Sequence, residues 1–527
     1  MLHRFLYTPF LYLAALLFIE VPTTNAQENA YCVDMFVAST QKAFKSRKVK
    51  RYSLWERIEN DCPIEVPFEL NNAFEGIPRY AQSSFYDLVK GNVKISNQII
   101  TPTERQFLQS DFLQPNVSSE IFGCLSGISY REETFVLNNV DYFNLVIDNL
   151  YYLQEELQYS YHARGRAFNC KIIKNPGMID KILDSPTDIG IVISIHGGHA
   201  LGNYLYIEQE QYNSTEYQNI VLNNIDRLKG TQPLRVKTNE FLELPIFSIS
   251  LGNYFEDGIC GKAAKFSLAE EETFKKQSSI GANFSALGQE AIRRLLSKEG
   301  GRRILLDVSD ISLDAREWYY KFVKDRRFAK DTIPILALNV GISGLSNRDN
   351  AYSGSDEKLK NQQSYLNNRQ ANLSREDIKE IVKSEGLIGI SLDRDRLMGK
   401  AFQTRYNSTL EGSADRRRIA VEAIVSNICK IIHMAQTIDA WDMICIGSSF
   451  DNNCRPMEMY STSSDISHLY KDLVKFFRDP RDIEGVYTAK EIRQFMYDFE
   501  PEELVSKILY KNAIKFLRKN LPVIDTP

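Results

Sequence analysis

Five short apolar runs in this chain each stop at a polar cluster, and that repeated ending constrains the fold more than any other feature. The leading case is ISIHGGHALGN, Ile193 to Asn203, where an apolar strand from Gly190 to Ile195 runs into a Gly-Gly turn. Four similar ends follow: LLDVSDIS (Leu305 to Ser312), PILALNVG (Pro334 to Gly341), GLIGISLD (Gly386 to Asp393) and MICIGSSFDNN (Met443 to Asn453). Apolar strands with polar ends, separated by helices, describe the rim of an α/β fold of the (β/α)8 TIM type. At that rim, strand-end residues read as chemistry rather than stability.

The rest of the chain fills in around those strands. A first strand is expected over Ala30 to Ala38, followed by a basic helix, AFKSRKVKR. DYFNLVIDNLYYLQEELQ (Asp141 to Gln158) has apolar residues at helical spacing. ELPIFSIS (Glu243 to Ser250) is a further strand, ending in the rim loop LGNYFEDGICG, and Ser285 to Ser297 reads as a helix. Ser374-Arg-Glu-Asp377 and Thr488-Ala-Lys-Glu491 are capping boxes that open helices. Pro501 suits the first position of the closing helix, where a missing N–H costs nothing. Three stretches, about 54–129, 205–240 and 342–370, lack clear periodicity and are expected as rim insertions.

The opening MLHRFLYTPFLYLAALLFIEVPTTNAQE has a positive start, an apolar core from Phe5 to Ile19 and a small-residue site ending at Ala26. It reads as a signal peptide over 1–26, leaving 27–527 as one domain outside the cytoplasm. Its apolar run falls short of the roughly 20 residues of a spanning helix. With 64 Lys+Arg against 68 Asp+Glu, the net charge is −4, and nothing points to a nucleic-acid partner. The 8 cysteines permit disulfides in an exported chain but leave their pairing open. Cys429 and Cys445 sit on apolar faces, where a buried thiol is at least as natural as a bridge; the other six lie in more loop-like settings. Sequons stand at Asn116, Asn213, Asn283, Asn372 and Asn407.

The pattern resembles the membrane dipeptidase family, peptidase family M19, zinc peptidases of the amidohydrolase type. Its motifs run roughly DxHxD, EGGHxLG, DLSHxS, a strand ending SHS, RNLSDE and GSDFDG. This chain has VDMFVA, HGGHALG, DVSDIS, ALNVG, ANLSRED and GSSFDN, with framing matches from about Asp141 to Leu517. The resemblance implies a metal-dependent-hydrolase-like barrel and a homodimer. It also places the family's first His and Asp on Phe36 and Ala38, and its bridging Glu on His196. Two later His ligands fall on Asp310 and Asn339, and the first Asp of GSDFD falls on Ser449, with Phe450 and Asp451 kept. The carboxylate-binding Arg falls near Ala371 and the carbonyl-polarising His near Leu251. Asp307 matches a framework position.

Phe36 and Ala38 cannot bind metal, and His196 lacks the oxygen pair that bridges two ions, so a two-zinc site is not expected. No cofactor is the main expectation. The alternative is one divalent ion such as zinc on His196, Asp310 and Asn339, helped by Asp451 or His199. Against it stands a plain hydrogen-bonded pair of His196 and Asp310. A Ser449, His196, Asp310 triad can also be drawn, although GSSFD is not a nucleophile elbow. The catalytic candidates are therefore His196 and Asp310; the binding candidates are these two with His199, Asn339, Ser449 and Asp451. His199 is expected to pack or hydrogen-bond beneath the rim, and His162, His433 and His468 to be structural or on the surface. The leading functional reading is an inactive relative that binds a small peptide-like ligand or a protein partner at the rim. An active amide hydrolase with a rearranged single-metal site is the runner-up.

Overall fold

Eight parallel strands form a closed ring, and the polar strand ends converge at one of its mouths. The computed structural model describes residues 31–44, 52–59, 78–108, 136–138, 141–163, 165–208, 210–232, 234–237, 240–242, 244–263, 281–324, 331–347 and 365–524. In chain order the ring strands are β1 (Cys32–Val37), β2 (Val93–Ile100), β3 (Asp188–His196), β4 (Ile246–Ser250), β5 (Leu305–Asp307), β6 (Leu336–Val340), β7 (Leu387–Ile390) and β8 (Ile444–Ile446). Each pairs in parallel with the next, and β1 pairs with β8 through Asp34 opposite Ile446, which closes the ring. Parallel neighbours need crossovers, and helices supply them. The expected (β/α)8 barrel is therefore the observed one.

β2 corrects one sequence expectation, because it lies inside the stretch 54–129 read as an insertion. Its sequence, VKISNQII, carries Ser96, Asn97 and Gln98 in the middle, all fully buried. They bond within the barrel: Asn97 Nδ2 donates to the Met35 carbonyl at 2.8 Å, Ser194 Oγ donates to Asn97 Oδ1 at 2.9 Å, and Gln98 Nε2 donates to Ser96 Oγ at 2.9 Å. Buried polar groups are tolerated when bonded in this way, and they break the apolar run that marks the other strands. The stretch 205–240 is likewise less of an insertion than expected. It contains a 15-residue helix, Thr215–Lys229, capped by Ser214 Oγ and ended by Gly230 at φ 83°, and this helix lies on the β3-to-β4 crossover. The central part of 342–370 lies outside the described residues, as do the signal-peptide stretch, Cys62, Cys124 and most of the basic helix after β1.

Other elements fall close to expectation. The helix Tyr142–Glu156 is N-capped by Asp141 and buries Phe143, Val146, Leu150 and Leu153. Ser285 caps Ala286–Leu296. Ser374 with Asp377, and Thr488 with Glu491, make reciprocal capping boxes, each N-cap being worth about 1 kcal/mol. Pro501 opens the closing helix, which passes through a π-helical segment, Lys507–Lys511, before Asn512–Asn520. Asn512 Nδ2 donates to the carbonyls of Trp441 and Ile444 at 2.7 and 2.8 Å, pinning that helix under β8. Among the described residues no helix is long and apolar enough to cross a membrane.

The six described cysteines, Cys32, Cys170, Cys260, Cys429, Cys445 and Cys454, are all buried free thiols. Cys32 and Cys170 sit in strands rather than loops, because apolar burial suits a thiol as well as it suits Val. Burial pushes the thiols of Cys32, Cys170, Cys260, Cys445 and Cys454 well up. All six are expected to resist iodoacetamide in the folded protein and to react fully in urea, as read by peptide mass spectrometry. Fast native alkylation at any of them would contradict the burial.

Candidate functional site

The mouth is built where β3, β5, β6, β7 and β8 end. Beyond His196 the chain turns at Gly197, whose φ of 102° suits only glycine, and the Gly197 and Gly198 amides bond to the carbonyls of Ser250 and Leu251. His196 is 1 % exposed, and its Nε2 lies 3.5 Å from Asp310 Oδ2. The Phe36 ring meets the imidazole edge-on at 5.5 Å between centroids. The other Asp310 oxygen accepts from Arg396 Nη2 at 2.8 Å. Arg396 rides on a short turn, Arg394–Leu397, capped by Asp393 after β7. Its Nη1 donates to the Asn339 carbonyl at 2.9 Å. Asn339 Nδ2 in turn donates to Ser449 Oγ at 3.0 Å, while Asn339 Oδ1 is buried with no hydrogen-bond partner among the described residues.

The backbone here is strained. Asp310, Ser449 and Asp451 have φ of 66°, 69° and 62°, left-handed values that side chains with a Cβ seldom adopt. Burial works against charge on Arg396, but Asp310 beside it overrides that and holds the guanidinium above its ordinary value. Below the mouth, Asp34 on β1 and Asp307 on β5 stitch strand ends together. Asp34 Oδ1 accepts from the Phe36 and Ser448 amides, and Asp307 Oδ1 from the Ser309 and Leu338 amides, at 2.9 to 3.1 Å. Burial pushes both carboxyls up to about 6 against those hydrogen bonds.

His196, Asp310, Asn339 and Ser449 thus come together as the sequence suggests, but Asp451 and His199 belong elsewhere. Asp451 accepts from the Gln82 and Ser83 amides and from Ser83 Oγ at 2.6 Å, and pairs with Lys42 at 3.3 Å. It is a clamp on the segment before β2, not a free ligand. His199 Nε2 sits 3.0 Å from the Pro102 carbonyl, its Nδ1 is 3.9 Å from Glu104, and its ring packs edge-on to Tyr142. That is the packing role expected of it. Glu104 also holds the Phe255 amide at 2.9 Å, and a buried Lys262–Asp257 pair at 2.9 Å lies on the same β4 loop. His162 and His468 are exposed, and His433 contacts Tyr487 OH at 3.0 Å.

Sequence reasoning missed Arg396, although it lies three residues beyond GLIGISLD and the charged run Arg394-Asp395-Arg396 so close to a strand end was the available signal. Ala371 is buried in a loop held by Arg316. That guanidinium is 3.2 Å from both Asp377 and the Asn372 carbonyl. Asn372 anchors the same loop, its side chain bonding to the Gly341 amide at 3.0 Å and to the Asn367 and Arg396 carbonyls at 2.8 Å.

These residues do not fit the family's metal pair. Phe36 and Ala38 are apolar, and Arg396 covers the Asp310 oxygen. Among the described residues, no three His, Cys, Asp or Glu side chains gather to hold an ion, whereas a catalytic zinc takes about three such ligands.

No family model and no curated protein matches the sequence. Solved structures do match. One is a metallopeptidase dipeptidase of family M19, at 12% identity and TM-score 0.44, covering 84% of this chain and 90% of that one. Another is an amidohydrolase from Pseudomonas aeruginosa, at 12% and 0.43, covering 83% and 92%. A third is a metallopeptidase from Rhodobacter sphaeroides liganded with a phosphinate mimic of the dipeptide L-Ala-D-Ala, at 12% and 0.43, covering 84% and 90%. At this identity the likeness concerns fold, which the closed strand ring establishes by itself.

Proposed function

We propose that this dipeptidase-like barrel no longer hydrolyses peptides and works by binding, with a small peptide-like ligand or a protein partner docking at the rim. One observation supports this above all: His196 and Asp310 are both buried and already engaged, the imidazole 3.5 Å from the carboxylate and edge-on to Phe36, and the other carboxylate oxygen bonded to Arg396. General-base chemistry needs such a group within reach of the proton it takes. The leader-like first 26 residues support action outside the cytoplasm, and the resemblance supports a homodimer.

The test is hydrolysis of L-Ala-D-Ala by purified protein, with and without added Zn²⁺, alongside metal analysis. The expected turnover is no greater than that of His196→Ala, with less than one zinc per chain. Stoichiometric zinc together with turnover that vanishes in Asp310→Ala would replace this reading with that of a rearranged single-metal hydrolase.

A further inference from the structure

We propose that the Arg396 guanidinium is the built-in cation of the mouth, standing where a divalent ion would have to stand. The inference rests on the reading that the mouth is not a metallohydrolase site, and it names what stands in for the metal.

The guanidinium sits between two oxygens from neighbouring strand ends, Asp310 Oδ1 beyond β5 at 2.8 Å and the Asn339 carbonyl on β6 at 2.9 Å. A carboxylate and a strand-end carbonyl are the oxygen donors that a hard divalent ion takes. His196 Nε2 lies 3.5 Å from the second carboxylate oxygen, so both Asp310 oxygens face a nitrogen. The Asp310 side chain is 0% exposed and that of Arg396 is 13%, so the cation is the more exposed member of the pair. Its position is set from behind: Asn372 Nδ2 bonds the Arg396 carbonyl, and Asp393 caps the turn that carries it. Asn339 Oδ1, buried without a hydrogen-bond partner among the described residues, is a further oxygen available to a cation once the guanidinium is gone.

A guanidinium does part of a metal's work. It is planar and permanently charged and satisfies carboxylate geometry with two N–H groups. It neutralises Asp310 and ties two strand ends, yet it has no coordination position for water. The mouth therefore folds complete without metal, unlike sites whose folding free energy is the binding free energy of the ion.

Thermal unfolding of the full chain tests this, in EDTA and with Zn²⁺ or Mg²⁺ titrated in. The wild-type midpoint is expected to be the same under all conditions. Arg396→Ala should melt several degrees lower in EDTA and regain most of that loss, saturably, with one of the two ions. Asp310→Asn/Arg396→Ala should recover part of the loss without metal and gain nothing from it. A wild-type midpoint that falls in EDTA, or an Arg396→Ala protein that neither ion shifts, overturns the proposal. Should Arg396→Ala fail to accumulate folded, the double variant decides: folding supports the charge-balancing role and failure to fold refutes it. Dipeptide hydrolysis by the wild type in EDTA would sink the proposed function while leaving this result standing.

Discussion

Arg316→Met is expected to lower stability by about 3–5 kcal/mol, the usual penalty for removing one partner of a buried ion pair. Arg316 is 1% exposed. It bonds Asp377 and the carbonyls of Asn372 and Gln370, while Tyr320 OH bonds the other Asp377 oxygen at 3.0 Å. Methionine fills the volume but leaves the buried Asp377 carboxylate without its cation and two carbonyls without this donor. Lysine is not expected to rescue, since one ammonium cannot serve three acceptors spread across a guanidinium fork. Arg316→Met/Asp377→Asn should lose less than Arg316→Met alone. Urea unfolding midpoints measure all three. A loss under about 1 kcal/mol, the level of an exposed pair, would show that this network is not what holds the 367–374 loop.

The second large effect is on pH. Asp34 and Asp307 have carboxyls raised to about 6, from an ordinary value of 3.8, with burial as the main cause. The folded state therefore holds these protons more tightly than the unfolded chain does. Their contribution is fully present below about pH 4 and is lost as pH rises through about 6, so the protein should gain stability on moving from pH 7.5 to pH 5. A rise of that size corresponds to roughly 3 kcal/mol per carboxyl at full titration. Asp87 and Glu156, also raised chiefly by burial, act in the same direction. His433, lowered by burial, acts the other way, but its position at the surface weakens it. Carboxylates held low by surface partners, such as Asp331, matter only below this window. Unfolding midpoints at pH 7.5, 6 and 5 should rise in that order, with a shallower rise in Asp307→Asn. A flat or falling series would mean that both carboxyls are charged in the folded protein at pH 5.

The barrel was legible because six of its strands are short, apolar and run into a polar residue, and because Ser374, Thr488 and Pro501 punctuate helices by local chemistry that tertiary context does not alter. β2 was not legible because its interior is polar. Ser96, Asn97 and Gln98 bond to β1, β3, the Ser39 amide and one another, and no local pattern reports a partner 97 residues away, as Ser194 is from Asn97. The site was half legible for the same reason. His196, Asp310, Asn339 and Ser449 follow from strand ends alone. Their neutralisation by Arg396 depends on how a turn after β7 leans across the mouth. Asp451 looked like a ligand because its GSSFD frame is intact, but its two oxygens are held by Gln82, Ser83 and Lys42, all far away in sequence.

Asn372 carries a consequence for biosynthesis. It heads an Asn-Leu-Ser sequon, yet its amide is 3% exposed and joins β6, its own loop and the Arg396 backbone. The sequon asparagines Asn213, Asn283 and Asn407 are exposed and could bear a sugar without consequence. A sugar on Asn372 and a closed mouth exclude each other. A chain carrying a sugar there could not form these bonds. This one amide thus ties the rim's architecture to the requirement that its own sequon stay unmodified.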